Sequence, residues 1–246
     1  MNYDDEIVLD NTITVVKPKE EEKLTFLACF NRDYEKFKKL ILSKRMLYLL
    51  PEISWTGVSL AIYTGLLVPM IVQTLPNESH NEQLKKAMFC MTALGVGEIV
   101  GGLIIGIVID QLGNRYASWA SLIAVITQTL VLCSFLVHNE YGTLAFLASF
   151  VWGVQDSIVN THLNQILGFE FKDHVFPYSV FNFVQCFTVF VFMFIESQLP
   201  LHINQEVLFI SFAGLLGLVM CSFVLKFPYK ANAKTKEDNS IHSIIE

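Results

Sequence analysis

Six stretches of the chain carry almost only apolar residues, and short polar segments separate them. They run over residues 47–73, 86–110, 115–138, 142–168, 175–197 and 205–227. At a rise of about 1.5 Å per residue, each is long enough to cross a hydrocarbon core of about 30 Å as a helix. The short links suit antiparallel neighbours in a bundle. The pattern predicts an all-α, polytopic membrane protein with a six-helix transmembrane domain over 46–227.

The flanking segments read differently. Residues 1–23 are polar, with acids at Asp4, Asp5, Glu6, Asp10 and Glu20 to Glu22. They show no basic start and no early apolar core, so no signal peptide is expected, and the segment reads as a disordered tail. In 24–45, Phe26, Phe30, Phe37 and Ile41 recur at helical spacing beside Lys36, Lys38, Lys39, Lys44 and Arg45. An amphipathic helix is expected there, either on the membrane surface or packed on the end of the bundle. The tail 228–246 is polar and is expected to be disordered.

Charge adds an orientation. With the N-terminus in the cytosol, only Lys85 and Lys86 of the 17 basic residues fall outside. The expectation is an integral protein of the plasma membrane or an endomembrane with both termini cytosolic. Asn77-Glu78-Ser79 then places a glycosylation sequon in the first outside loop, on Asn77.

Composition agrees: 53% of the 246 residues are hydrophobic, 16% are charged and 20 are Phe, which a soluble domain seldom shows. The five cysteines are scattered without CxxC spacing, so they read as small buried hydrophobes, not as a disulfide or zinc framework. HExxH, GxSxG and paired intramembrane aspartates are missing, which argues against an enzyme. No cofactor, metal or nucleic-acid partner is expected.

Two runs carry polar residues that lipid would not tolerate. In the second, Glu98 lies among Gly95, Gly97, Gly101, Gly102 and Gly106. The pairs Gly97/Gly101 and Gly102/Gly106 predict a close approach by a neighbouring helix, with Glu98 on the packing face. In the fourth, Asp156, Asn160 and Asn164 form one stripe about 12 Å long, with Thr161 and Gln165 beside it and His162 between. The stripe is either a solute or proton site or an interhelical hydrogen-bond network. Ser179, Asn182 and Gln185 recur on the fifth run. Glu52 is expected to reach headgroup water, Glu196 to be solvated, and Pro69 to kink the first run.

Gly106-x-x-x-Asp110-x-x-Gly113-x-Arg115, between two spanning runs, resembles the signature loop of the major facilitator superfamily. Gln111 stands where that loop usually has arginine, and Asn114 where a basic residue is common. The resemblance implies that Gly106 lets two helices pack, Asp110 caps a facing helix and Arg115 anchors the cytosolic side. LLPEISWTGVSLAIYTGLLV in the first run, WGVQDSIVNTHLNQILGFEF in the fourth and FPYSVFNFVQCFTVF in the fifth are similar to the uncoordinated-93-like branch. Its fourth-run pattern is met by Gly153, Asp156 and Thr161, with His162 where glutamine is usual.

The likeness covers about residues 46–227 and implies the C-terminal six-helix half of a twelve-helix protein. Segment 24–45 then falls where the linker between halves would be. The branch implies two functions. One is transmembrane transport of a small solute, with Asp156 or Glu98 as the group that would couple it to protons. The other is a non-transporting regulator or trafficking adaptor with an ion-channel or receptor partner. In the superfamily the solute path lies between two halves. This chain is expected to pair with a second copy as a homodimer or with a separate N-terminal half, unless its six helices close on themselves or it is a truncated copy.

Overall fold

The apolar runs become helices that end where the sequence supplies a cap or a backbone break. The computed structural model describes residues 26–173, 175–198 and 203–229. Its elements are α1 (Phe26–Ile41), α2 (Lys44–Ile62), a π-helical turn (Tyr63–Leu67), α3 (Val68–Gln73), α4 (His80–Gln111), α5 (Asn114–His138), α6 (Thr143–Phe169), α7 (Val175–Glu196) and α8 (Ile203–Ser222). A 3-10 turn, Phe223–Lys226, closes α8. Ser43 caps α2 by accepting from the Met46 amide, and Ser79 caps α4 by accepting from the Glu82 amide. α5 starts from Gly113, at φ 91 and ψ 172, and ends on a left-handed Asn139 whose amide returns to the Phe135 carbonyl at 2.8 Å.

The first span is one continuous segment, Lys44–Gln73, but not one regular helix. The expected break at Pro69 takes the form of a π turn just before it. Pro69 has no N–H for the Gly65 carbonyl four residues back. A wider turn re-pairs the carbonyls on that side.

Among the described residues, five helices are long and apolar enough to cross a membrane: Lys44–Gln73, His80–Gln111, Asn114–His138, Val175–Glu196 and Glu206–Lys226. α6 has the length, at 27 residues, and carries the polar stripe of Asp156, Asn160 and Asn164, but is not among the five. It is nevertheless the sixth member of the bundle, because it packs parallel to α4 along its length. A Cβ at Gly97 would meet the Phe150 carbonyl, one at Gly101 would lie 2.5 Å from the Val154 carbonyl, and one at Gly153 would meet the Leu94 carbonyl. The Gly97/Gly101 expectation therefore has its contact. The Gly102/Gly106 pair does not: a Cβ at Gly102 would lie 3.2 Å from the Ser157 hydroxyl, and among the described residues no neighbouring element comes within 4 Å of a Cβ at Gly106.

α2 sits against α6, α7 and α8, and α5 packs on α6 and α8. Side-chain ties hold the first span at both ends. Arg45 Nη2 donates to Glu170 Oε2 at 2.6 Å, and Gln73 Nε2 donates to Glu206 Oε1 at 2.9 Å. The outside is apolar: Ile99, Leu103 and Ile107 make an exposed stripe on α4, and Phe183, Phe187, Phe190 and Phe194 one on α7. Surfaces of this kind are stable in lipid, not in water.

The chain divides into two units, one ending at Lys36 and one beginning at Phe37. In the first, Phe30 and Tyr34 stack with ring centroids 6.5 Å apart, and Arg32 contacts Asp33 on the surface. In the second, Phe37 meets the Phe183 ring edge-on at 5.7 Å. The tail expected over 1–23, and residues 230–246 of the tail expected over 228–246, lie outside the described residues.

Candidate functional site

Helical spacing puts the polar residues of α6 on two opposite sides, and each side meets different elements. On one side Asp156 is half-buried, and its electrostatic neighbours are Glu98 of α4 and Tyr63 of the π turn. The Tyr63 ring stands edge-on to Trp152, with centroids 6.4 Å apart. Asn160, also half-buried, donates to the Asp156 carbonyl at 2.9 Å. Asn164 is exposed, and its carbonyl accepts from the Tyr178 hydroxyl at 2.9 Å. Thr161 and Gln165 are half-buried beside this stripe, and Asn182 of α7 is exposed.

The other side of α6 is buried. His162 has no exposed surface, and its Nδ1 lies 4.0 Å from Glu52 Oε1. Ser121 Oγ of α5 is 3.5 Å from the same nitrogen, and the Tyr229 hydroxyl is 3.4 Å from Nε2. Tyr229 in turn pairs with Ser118 Oγ at 2.8 Å. Burial pushes the Tyr229 phenol well above its ordinary range; the Ser118 hydrogen bond pulls it back in part, and the charges of Glu52 and Glu170 push it up further.

Between these sides, hydrogen bonds stitch α2 to its neighbours. Trp152 Nε1 donates to Ser59 Oγ at 3.0 Å, and Ser59 donates to Gln155 Oε1 at 3.1 Å. Gln185 Nε2 of α7 donates to Thr56 Oγ1 at 3.0 Å. Such bonds contribute about 0.6 kcal/mol each within a bilayer. Gln185, expected in the pathway set, is thus held in a helix contact.

A family model described as ion channel regulatory protein UNC-93 matches residues 8–224. The chain belongs to the UNC-93 family. It is 26% identical over 233 residues to the UNC93-like protein MFSD11 of Xenopus tropicalis, covering 83% of this chain and 50% of that protein. The Xenopus laevis protein of the same name is 25% identical over 232 residues, with the same shares, 83% and 50%. The chain therefore spans about half the length of these curated relatives. No solved structure matches it.

Within this UNC-93 family chain, the expected site residues do not form one cluster. Glu98 and Asp156 come together; His162 turns away from them to Glu52. Two expectations are corrected. Glu52 does not reach headgroup water but is fully buried, because α2 packs against α6 and α8 and the buried His162 of α6 lies 4.0 Å from its carboxylate. Glu196 is buried too, since the glycine at position 65 leaves room for its Oε2 against the π turn. In the signature loop, Asp110 and Arg115 are exposed and pair with no described residue, so the loop's visible role rests on Gly113, whose positive φ turns the chain from α4 into α5. Asn77 is exposed in the turn before α4, and the Ser79 hydroxyl of its sequon is the helix cap.

Sequence reasoning missed Ser118, Ser121 and Tyr229. The serines read as ordinary small residues of an apolar run, and Tyr229 fell in a tail expected to be disordered. The spacing of Ser118 and Ser121, three apart and on one face with the run's buried side, was the available signal.

Proposed function

We propose that the chain forms one wall of a transmembrane path for a small solute, with a proton or a cationic group attracted to the Glu98–Asp156 pair. The observation that carries this reading is the meeting of Tyr63, Glu98 and Asp156 from three helices on a half-open face. Two neighbouring carboxylates at membrane depth are expensive unless they serve a cation, a proton or a partner. Asn160, Asn164 and Asn182 extend the polar face. The wall facing it would come from a second copy or from a separate N-terminal half, which fits the half-length match to the relatives.

The test is uptake into proteoliposomes containing the full chain, alone and with any co-purifying half. Asp156→Asn should abolish cation- or proton-coupled flux and leave folding and sorting intact. Loss of stability together with flux would mean that the residue is structural. Full flux in a stable variant would remove Asp156 from the path.

The family description favours a second reading, a membrane regulator of an ion channel without flux of its own. In that case proteoliposomes stay silent, while channel current in co-expressing cells depends on the chain and survives Asp156→Asn.

A further inference from the structure

We infer that Glu52 and His162 form a second, buried proton-binding site, separate from the Glu98–Asp156 face, in which the two side chains together hold one exchangeable proton. Glu52 is completely buried, and among the described residues only the Ser121 hydroxyl approaches it as a donor, outside good hydrogen-bond geometry. A bare carboxylate in that position is strongly disfavoured. Among the described residues, His162 is the one basic side chain within ion-pair distance of it, at 4.0 Å, and it is as deeply buried.

One proton makes the pair neutral. It forms an O–H bond on Glu52 or an N–H bond on His162 as one O–H bond of a hydronium ion breaks and a water molecule is released. Which atom carries it belongs to the pair, not to either residue.

The surroundings favour this reading. α5 contributes Ser118 and Ser121, α8 contributes the buried Cys221, and the segment after α8 contributes Tyr229. None brings a fixed positive charge that would hold Glu52 ionised by itself. Arg45, two turns before Glu52 on α2, is bound to Glu170 at 2.6 Å. Arg45 also stacks on Phe227 at 5.1 Å, and the Phe227 ring meets the Tyr229 ring at 5.0 Å. The chain from Ser118 through Tyr229 to His162 Nε2, with steps of 2.8 and 3.4 Å, therefore runs from the pair towards this end of the bundle and offers a hydroxyl relay for the proton.

The test is infrared difference spectroscopy, with nitrogen-15 histidine resonances, on the full chain in lipid nanodiscs at neutral pH. The parent minus Glu52→Gln difference should lose either a protonated-carboxyl C=O band that shifts in heavy water, or a carboxylate band accompanied by an imidazolium resonance that His162→Gln removes. Asp156→Asn should leave the signal in place, which separates this site from the solute face. If Glu52→Gln does not fold, the parent minus His162→Gln difference is read in the same way: loss of an imidazolium, or displacement of the protonated-carboxyl band. A carboxylate beside a neutral imidazole in the parent overturns the inference. So does a proton signal that follows Asp156 instead of Glu52.

Discussion

Gly97 of α4 and Gly153 of α6 lie on reciprocal sides of one contact. The Phe150 carbonyl stands where Gly97 would carry a Cβ, and the Leu94 carbonyl where Gly153 would carry one. Backbone faces backbone, so no side chain can rotate away to make room. Gly97→Ala or Gly153→Ala should cost about 2–3 kcal/mol as the helices are forced apart. Gly106→Ala, with nothing within 4 Å, should be neutral or stabilise by up to about 1 kcal/mol through helix propensity. Unfolding of the purified variants in nanodiscs compares the three; equal stability of all of them would refute the close approach.

Gly113 carries the turn between α4 and α5 at φ 91, ψ 172, a region closed to residues with a Cβ. Gly113→Ala should cost about 1–3 kcal/mol. Asp110→Asn and Arg115→Gln, exposed and without a described ion-pair partner, should each stay within about 0.5 kcal/mol. Thermal melting of the three variants side by side checks the order.

Arg45 reaches the Glu170 carboxylate at 2.6 Å and the Glu170 carbonyl at 2.8 Å, with its guanidinium 5.4 Å from the Phe171 ring. Breaking a fully buried pair costs about 3–5 kcal/mol. Here the Arg45 side chain is 34% exposed, so water screens part of the effect. Arg45→Ala should cost about 2 kcal/mol. Arg45→Lys should lose more than half as much, since an ammonium reproduces neither the fork nor the stacking. A lysine variant as stable as the parent would show that charge alone holds this end.

Alkaline pH should act through Tyr229. Its phenol holds its proton more tightly in the folded bundle than in the unfolded chain, chiefly through burial. The folded state then binds more protons than the unfolded state above the ordinary tyrosine range, so stability falls as pH rises past about 10. Tyr229→Phe should lose about 1 kcal/mol at neutral pH, with the Ser118 hydrogen bond, and lose less than the parent between about pH 9 and 11. Parallel slopes for the two proteins would exclude Tyr229 as the group responsible.

Orientation is open to a direct measurement. If the basic residues set it, the turn that carries Asn77 faces away from the cytosol, and microsomal expression gives a glycosidase-sensitive mass that Asn77→Gln removes. Protease cleavage of that turn from the cytosolic side would reverse the topology.

The sequence by itself determined the all-helical membrane class, the long apolar helices and the place of the break before α3, because membrane depth demands long apolar runs and proline removes a helical donor at a known position. It also determined that Gly97 and Gly101 share a face and that Asp156 and Asn160 form a stripe, since helical periodicity follows from spacing alone. Only the tertiary structure decided which helix each face would meet. Spacing cannot tell that α6 turns its aspartate towards α4 and its histidine towards α2, because both faces are polar. Nor can it tell that Gly106 meets nothing while Gly153, which the glycine pairs of α4 did not include, completes the α4–α6 contact. Glu52 and Glu196 look alike in the sequence, as acids within about a turn and a half of the ends of apolar runs, where headgroup water is close. Their burial depends on elements remote in the chain, His162 and Tyr229 for one and the π turn at Gly65 for the other, and only folding brings these together.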